Sequence, residues 1–154
     1  MASRIPSRLR YGQRIPLAIQ LVNLKRMFPA SVGSVGGGRL RWSYDKFQAS
    51  PVSGVYRIEI EGRLGMKPAI WLSGGAINEG NINESPHHYA IDAEGLRIRI
   101  CLDRFDWKPH QLYSSTYIPW AMEWIVFFEI WCATGVWSGG GIHPQLDQPS
   151  GKAE

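Results

Sequence analysis

Cys101 is the residue whose surroundings best suit a chemical role. A thiol reacts as its thiolate, and cationic neighbours favour that form. In the stretch Leu96–Leu102, Ile98, Ile100 and Leu102 share one parity, while Arg97, Arg99 and Cys101 share the other. If the stretch is extended, Cys101 lies away from the apolar face and on the side of two arginines. His87 and His88 stand nearby in sequence. One of them can orient the adjoining loop or donate to a developing oxyanion. The plainer readings are a buried, inert cysteine and loop histidines satisfied by backbone groups. Cys132, among Phe128, Ile130 and Trp131, reads as a structural core residue. A zinc site is the rival use of His87, His88, Cys101, His110 and His143, but their spacing fits no C-x-x-C or H-E-x-x-H pattern. The glycine clusters Gly36–Gly38 and Gly139–Gly141 lack the lysine of a phosphate-binding loop and read as turns. No cofactor motif is found.

The elements that must position these residues follow from periodicity. Leu17, Leu21, Leu24 and Phe28 form one face of a helix over Ile15–Phe28, which Pro29 stops. Ser31–Gly38 reads as a flexible loop. Leu40, Trp42 and Tyr44 alternate with polar neighbours, as do Tyr56, Ile58 and Ile60, so both stretches read as strands with one covered face. Pro68–Leu72 is a third, shorter strand, and the short links between the three suggest an antiparallel meander. Ser73–Pro86 is a long turn-rich loop, read as too polar to bury. Tyr117–Thr134 is an apolar helix that Gly135 is placed to end. The pattern is α+β. It divides the chain into a flexible basic arm (1–13), a folded domain (14–144) and a disordered tail (145–154).

The 154 residues fit one domain, and 44% apolar with 19% charged residues excludes a disordered composition. Residues 1–41 carry eight Lys or Arg and no acid, whereas the remainder carries nine against thirteen acids, or −4. The basic N-terminal region therefore suits an acidic partner. No nucleic-acid-binding signature accompanies this charge. The start, MASRIPSRLRYG, has no apolar core of a signal peptide, and the longest apolar run, Ile118–Ala133, is too short to span a bilayer. A cytoplasmic protein with reduced thiols is expected.

Between residues 86 and 144 an ordered set of motifs stands out. It runs Pro86-His87-His88-Tyr89, Ile100-Cys101-Leu102, Trp107-Lys108-Pro109, Ile118-Pro119-Trp120 with Glu123-Trp124, then Glu129-Ile130-Trp131, Thr134-Gly135-Val136-Trp137-Ser138-Gly139-Gly140-Gly141 and His143-Pro144. This set resembles the bacterial ubiquitin-conjugating-enzyme-like proteins of CBASS antiphage operons, in their stand-alone form. The resemblance implies the ubiquitin-conjugating (UBC-like) fold: an N-terminal helix, an antiparallel meander, a catalytic-cysteine loop and a C-terminal helix. It implies Cys101 as the thioester-forming residue. The asparagine that supports the oxyanion in eukaryotic relatives has no counterpart at Pro86-His87. His87, or else His88, is the expected substitute, with Asn78, Asn81 and Asn83 as weaker candidates. Backbone N–H groups near Cys101 are the other expected oxyanion donors. The implied partner is the C-terminus of a CD-NTase, a cGAS-like nucleotidyltransferase. An activating enzyme is a further partner the resemblance points to, and the implied acceptor is a lysine amine. The rival roles on the same fold are a silent binding module and a thiol hydrolase of the same linkage.

Overall fold

The computed structural model describes residues 12–102 and 106–139. Helix α1 (Leu17–Met27) opens the chain. Pro16 sits at its N-cap, where a missing N–H costs nothing, and its carbonyl accepts from Ile19 and Gln20. The expected stripe is present, with Leu17 and Leu24 buried and Leu21 and Phe28 packed against the core.

Among the described residues six strands follow in one antiparallel sheet: β1 (Val32–Gly36), β2 (Arg39–Phe47), β3 (Tyr56–Arg63), β4 (Ala69–Gly74), β5 (His88–Asp92) and β6 (Arg97–Ile100). Their spatial order is β1-β2-β3-β4-β6-β5. Strands β2, β3 and β4 make the expected three-strand meander, and β1 extends it by one strand. The expected flexible loop at Ser31–Gly38 is instead β1 and a tight hairpin. Gly36 pairs with Arg39, so only Gly37 and Gly38 turn, and both have positive φ (57° and 73°). That is the geometry a two-residue hairpin needs, and glycine adopts it without steric cost. Strand β5 goes unread in the sequence because a bulge between His88 and Ala90 breaks its alternation.

The sheet has an apolar inner face and a polar outer one. Ile58, Ile60, Leu72 and Ile98 are fully or almost fully buried, and each contributes about 1.5–3 kcal/mol by leaving water. Helix α2 (Tyr117–Thr134) joins this core through Ile118, Ala121, Trp124, Ile125 and Phe128. Gly135 ends it in the left-handed conformation and donates to the Trp131 carbonyl. Among the described residues no helix is long and apolar enough to cross a membrane.

The loop between β4 and β5 is less polar in place than in sequence. Ile77, Ile82 and Ser85 are buried, and a short 3-10 turn over Ile82–Glu84 presents Ile82 to the core. The segment before α2 is held by α1. Buried Gln20 donates to the Gln111 carbonyl (3.0 Å) and accepts from the Tyr113 N–H (2.7 Å), and the Ile15 N–H meets the Pro109 carbonyl. A buried amide used on both ends is stabilising, whereas one left open would be costly. Most of the basic arm, the residues just after Leu102 and the C-terminal tail lie outside the described residues.

Candidate active site

Cys101 follows the last residue of β6 and is half-buried. Its neighbours Ile100 and Leu102 are buried, and Arg97 and Arg99 lie on the opposite face, so the alternation read from sequence holds up to the thiol. One hydrogen bond fixes the backbone here. The Cys101 N–H donates to the His87 carbonyl at 2.9 Å. The same carbonyl accepts the indole N–H of Trp124 at 3.1 Å. Helix α2 and β6 thus meet at a single oxygen.

His87 is held in an unusual conformation to present that oxygen. Its φ is 51°, a left-handed value that costs a non-glycine residue roughly 1–2 kcal/mol. Its ring is buried and packs on Trp137, 4.9 Å between centroids, while Trp137 packs on Trp124 at 5.7 Å. The sequence reading overlooked Trp124 and Trp137 as parts of the site. The signal was there in Trp124 within α2 and Trp137 just beyond its end, but core packing accounts for such residues equally well.

His88 is placed otherwise. It opens β5 opposite Ile100, and its Nδ1 donates to the Ser85 carbonyl at 2.6 Å with the Ser85 hydroxyl at 3.3 Å. A carbonyl can only accept, so Nδ1 carries the proton. The two histidines therefore do different things: His87 brings its main chain to Cys101, and His88 ties the loop end to β5. Two of the weaker asparagine candidates, Asn78 and Asn81, build the turn, and Asn83 lies within the 3-10 turn that follows. Asn78 Oδ1 accepts from Gly80 and Asn81, and Asn81 Nδ2 donates to the Ala76 carbonyl.

Two expectations about the electrostatics need correction. The Cys101 N–H is already taken by His87, so it is not an open oxyanion donor. Arg97 is not a free cation beside the thiol. It bonds Glu59 at 3.1 Å and Asp92 at 3.0 Å and lies over Trp71 at 4.5 Å. Burial opposes its charge, but the two carboxylates outweigh this and hold its pKa above the ordinary value. Asp92 is held below the usual carboxylate range, first by the Gly95 N–H and then by Arg97. Arg99 covers Tyr89, 5.1 Å from the ring centroid.

Cys132 is the third correction: it is exposed. The stripe of α2 would carry it inward, but the last turn runs past the core, and only Trp131 there remains partly covered. Its sulfur meets Asn81 Nδ2 at 3.5 Å. Partial burial and then the Glu129 carboxylate push the thiol up, against the lowering effect of the Asn81 hydrogen bond. Glu129 itself accepts from the Gly54 N–H and the Tyr56 hydroxyl, both at 2.8 Å, and so ties α2 to β3.

Among the described residues no three of His, Cys, Asp or Glu converge on a point that could hold a metal ion. His143, one of the residues considered for zinc, lies outside them.

A family model described as Type II CBASS E2 protein matches residues 20–144. No curated protein matches the chain.

Proposed function

The chain belongs to the type II CBASS E2 protein family, and on that premise we propose that Cys101 is the acyl-carrying thiol of a ubiquitin-conjugating-like transferase. In this reading the Cys101 thiolate attacks the activated C-terminal carbonyl of a CD-NTase. A C–S bond forms as the activating group leaves. A lysine amine then attacks the thioester, the C–N bond forms, and the thiol departs and regains a proton. The observation that carries the reading is the anchorage of Cys101. Its backbone is fixed to His87, and through His87 to Trp124. A nucleophile so held loses less entropy on reaching the carbonyl than one on a free loop.

The test is gel mobility of the purified chain with a CD-NTase supplied as a C-terminal thioester. Wild type should form an adduct that reducing thiols cleave. Cys101→Ser should form an oxyester that resists them, and Cys101→Ala should form none. An adduct that persists in Cys101→Ala overturns the assignment.

A second reading, a binding module whose cysteine is silent, is favoured by one observation. Arg97, one of the two arginines expected to activate the thiol, is spent on Glu59 and Asp92. Tight binding of the CD-NTase without any adduct in wild type is the outcome that selects it.

A further inference from the structure

The outer face of the sheet is divided by charge. At one end Arg57, Glu59, Asp92 and Arg97 neutralise one another. At the other, Arg39, Arg41, Arg63, Lys67 and Arg99 surround a depression of about 220 Å³ in which Glu61 is the single carboxylate among the described residues. Among the described residues no ion pair joins Arg39, Arg41 or Arg63 to a carboxylate. All three are exposed.

This basic end leads to the site. A second hollow of about 250 Å³ shares Lys67 and Arg99 with the first and is walled by Pro68, Ile70, Ile100 and Leu102. Ile100 and Leu102 are the two residues that bracket Cys101. The β4–β6 register points the same way. The β4–β6 ladder ends at Trp71 and Arg99, and Ala69, the next residue of β4 on the face of Trp71, lines the basic depression together with Arg99. Cys101 lines neither hollow, but Arg99, two residues before it on the same face, lines both, which puts the thiol close to where the apolar hollow and the cationic trough come together.

We infer that this trough binds the acidic, extended C-terminal tail of the acyl donor, with an aliphatic side chain near the end of that tail seated in the apolar hollow. The inference rests on the transferase reading and names the chemistry of its donor. Three observations single out this occupant. Arg39, Arg41 and Arg63, which no ion pair joins to a carboxylate among the described residues, favour carboxylates, and they repel both an acceptor lysine and the same basic face of a second copy. The continuity with Cys101 suits a segment that ends there. A single-stranded nucleic acid would need aromatic faces on which to stack its bases, but Arg97 already covers Trp71 and Arg99 covers Tyr89.

The test uses a fluorescein-labelled synthetic peptide that ends Leu-Gly and carries a run of glutamates upstream, with a glutamine counterpart as control. Binding to the full chain is read by fluorescence anisotropy. The glutamate peptide should bind at least about tenfold tighter than its control at about 0.05 M salt, and the gap should shrink at about 0.3 M. Arg39→Glu with Arg63→Glu should abolish the preference, and Arg39→Lys with Arg63→Lys should restore it. Equal affinity for the two peptides overturns the inference. So does a preference untouched by charge reversal, or displacement of the peptide by a lower concentration of oligothymidylate. Cys101→Ala should bind the glutamate peptide as wild type does. Loading from the same peptide supplied as a C-terminal thioester is read separately by intact mass. Binding without loading would leave the trough standing and remove the carrier reading. Loading without a charge preference would do the reverse.

Discussion

The two cysteines differ in what holds them, and the contrast runs against their sequence contexts. Cys101 sits among charged residues yet is locked by a main-chain bond to a buried, left-handed histidine. Cys132 sits in the most apolar helix yet lies at the surface, on a last turn that has outrun the core. Exposure alone would favour Cys132 as the reactive thiol. Its surroundings argue otherwise, because burial of one side and the Glu129 carboxylate both disfavour the thiolate. On the proposed reading reactivity separates from accessibility, and what sets Cys101 apart is its main-chain bond to His87.

The largest expected effect tests that separation directly. With a peptide thioester as donor, Cys101→Ala should lose acyl loading, and Cys132→Ala should load at close to the wild-type rate, both read by intact mass. Loading that follows Cys132 instead would reverse the comparison. The next effect is on stability. Trp124→Phe removes the indole N–H from the His87 carbonyl and loosens packing against Phe128, where the two rings stack at 4.9 Å. A loss of about 1–3 kcal/mol is expected. Cys132→Ala, at an exposed position, should change stability by no more than about 0.5 kcal/mol. Urea midpoints of the two variants measure the gap, and equal midpoints would show that the Cys101 side is no better anchored than the other.

Much of this arrangement could be read before the fold was known. Strict alternation made β2, β3 and the outward set of Arg97 and Arg99 legible, because a half-covered strand writes its faces into every second residue. Helix α2 was legible from its length and from Gly135. The hairpin at Gly37-Gly38 was not, since a glycine-rich run reads as loop until its partner strand is known. The burial of Cys132 was misread because composition reports how apolar a helix is, not how far it extends past the sheet. The role of Arg97 was misread for a related reason. Glu59 lies on β3, 38 positions away, and only the sheet brings the two together. Likewise, nothing local marks the His87 carbonyl as the point where Trp124 meets Cys101.

The smallest expected effect lies in the electrostatics of Cys132. A raised thiol pKa means less thiolate at a given pH, so alkylation should be slow near neutrality and should rise only above the ordinary thiol range of about 8.5. Glu129→Gln keeps an oxygen to accept from Gly54 and Tyr56 but removes the charge. The alkylation curve should then move toward lower pH while staying above that of a fully solvated thiol, because burial is the larger cause and remains. Asn81→Ala removes the hydrogen bond that opposes the shift, so its curve should move the other way. Iodoacetamide labelling in a Cys101→Ala background, followed by mass across pH, measures both. Two curves that coincide with that of the parent would mean that neither side chain acts on the sulfur, and that exposure alone sets how Cys132 behaves.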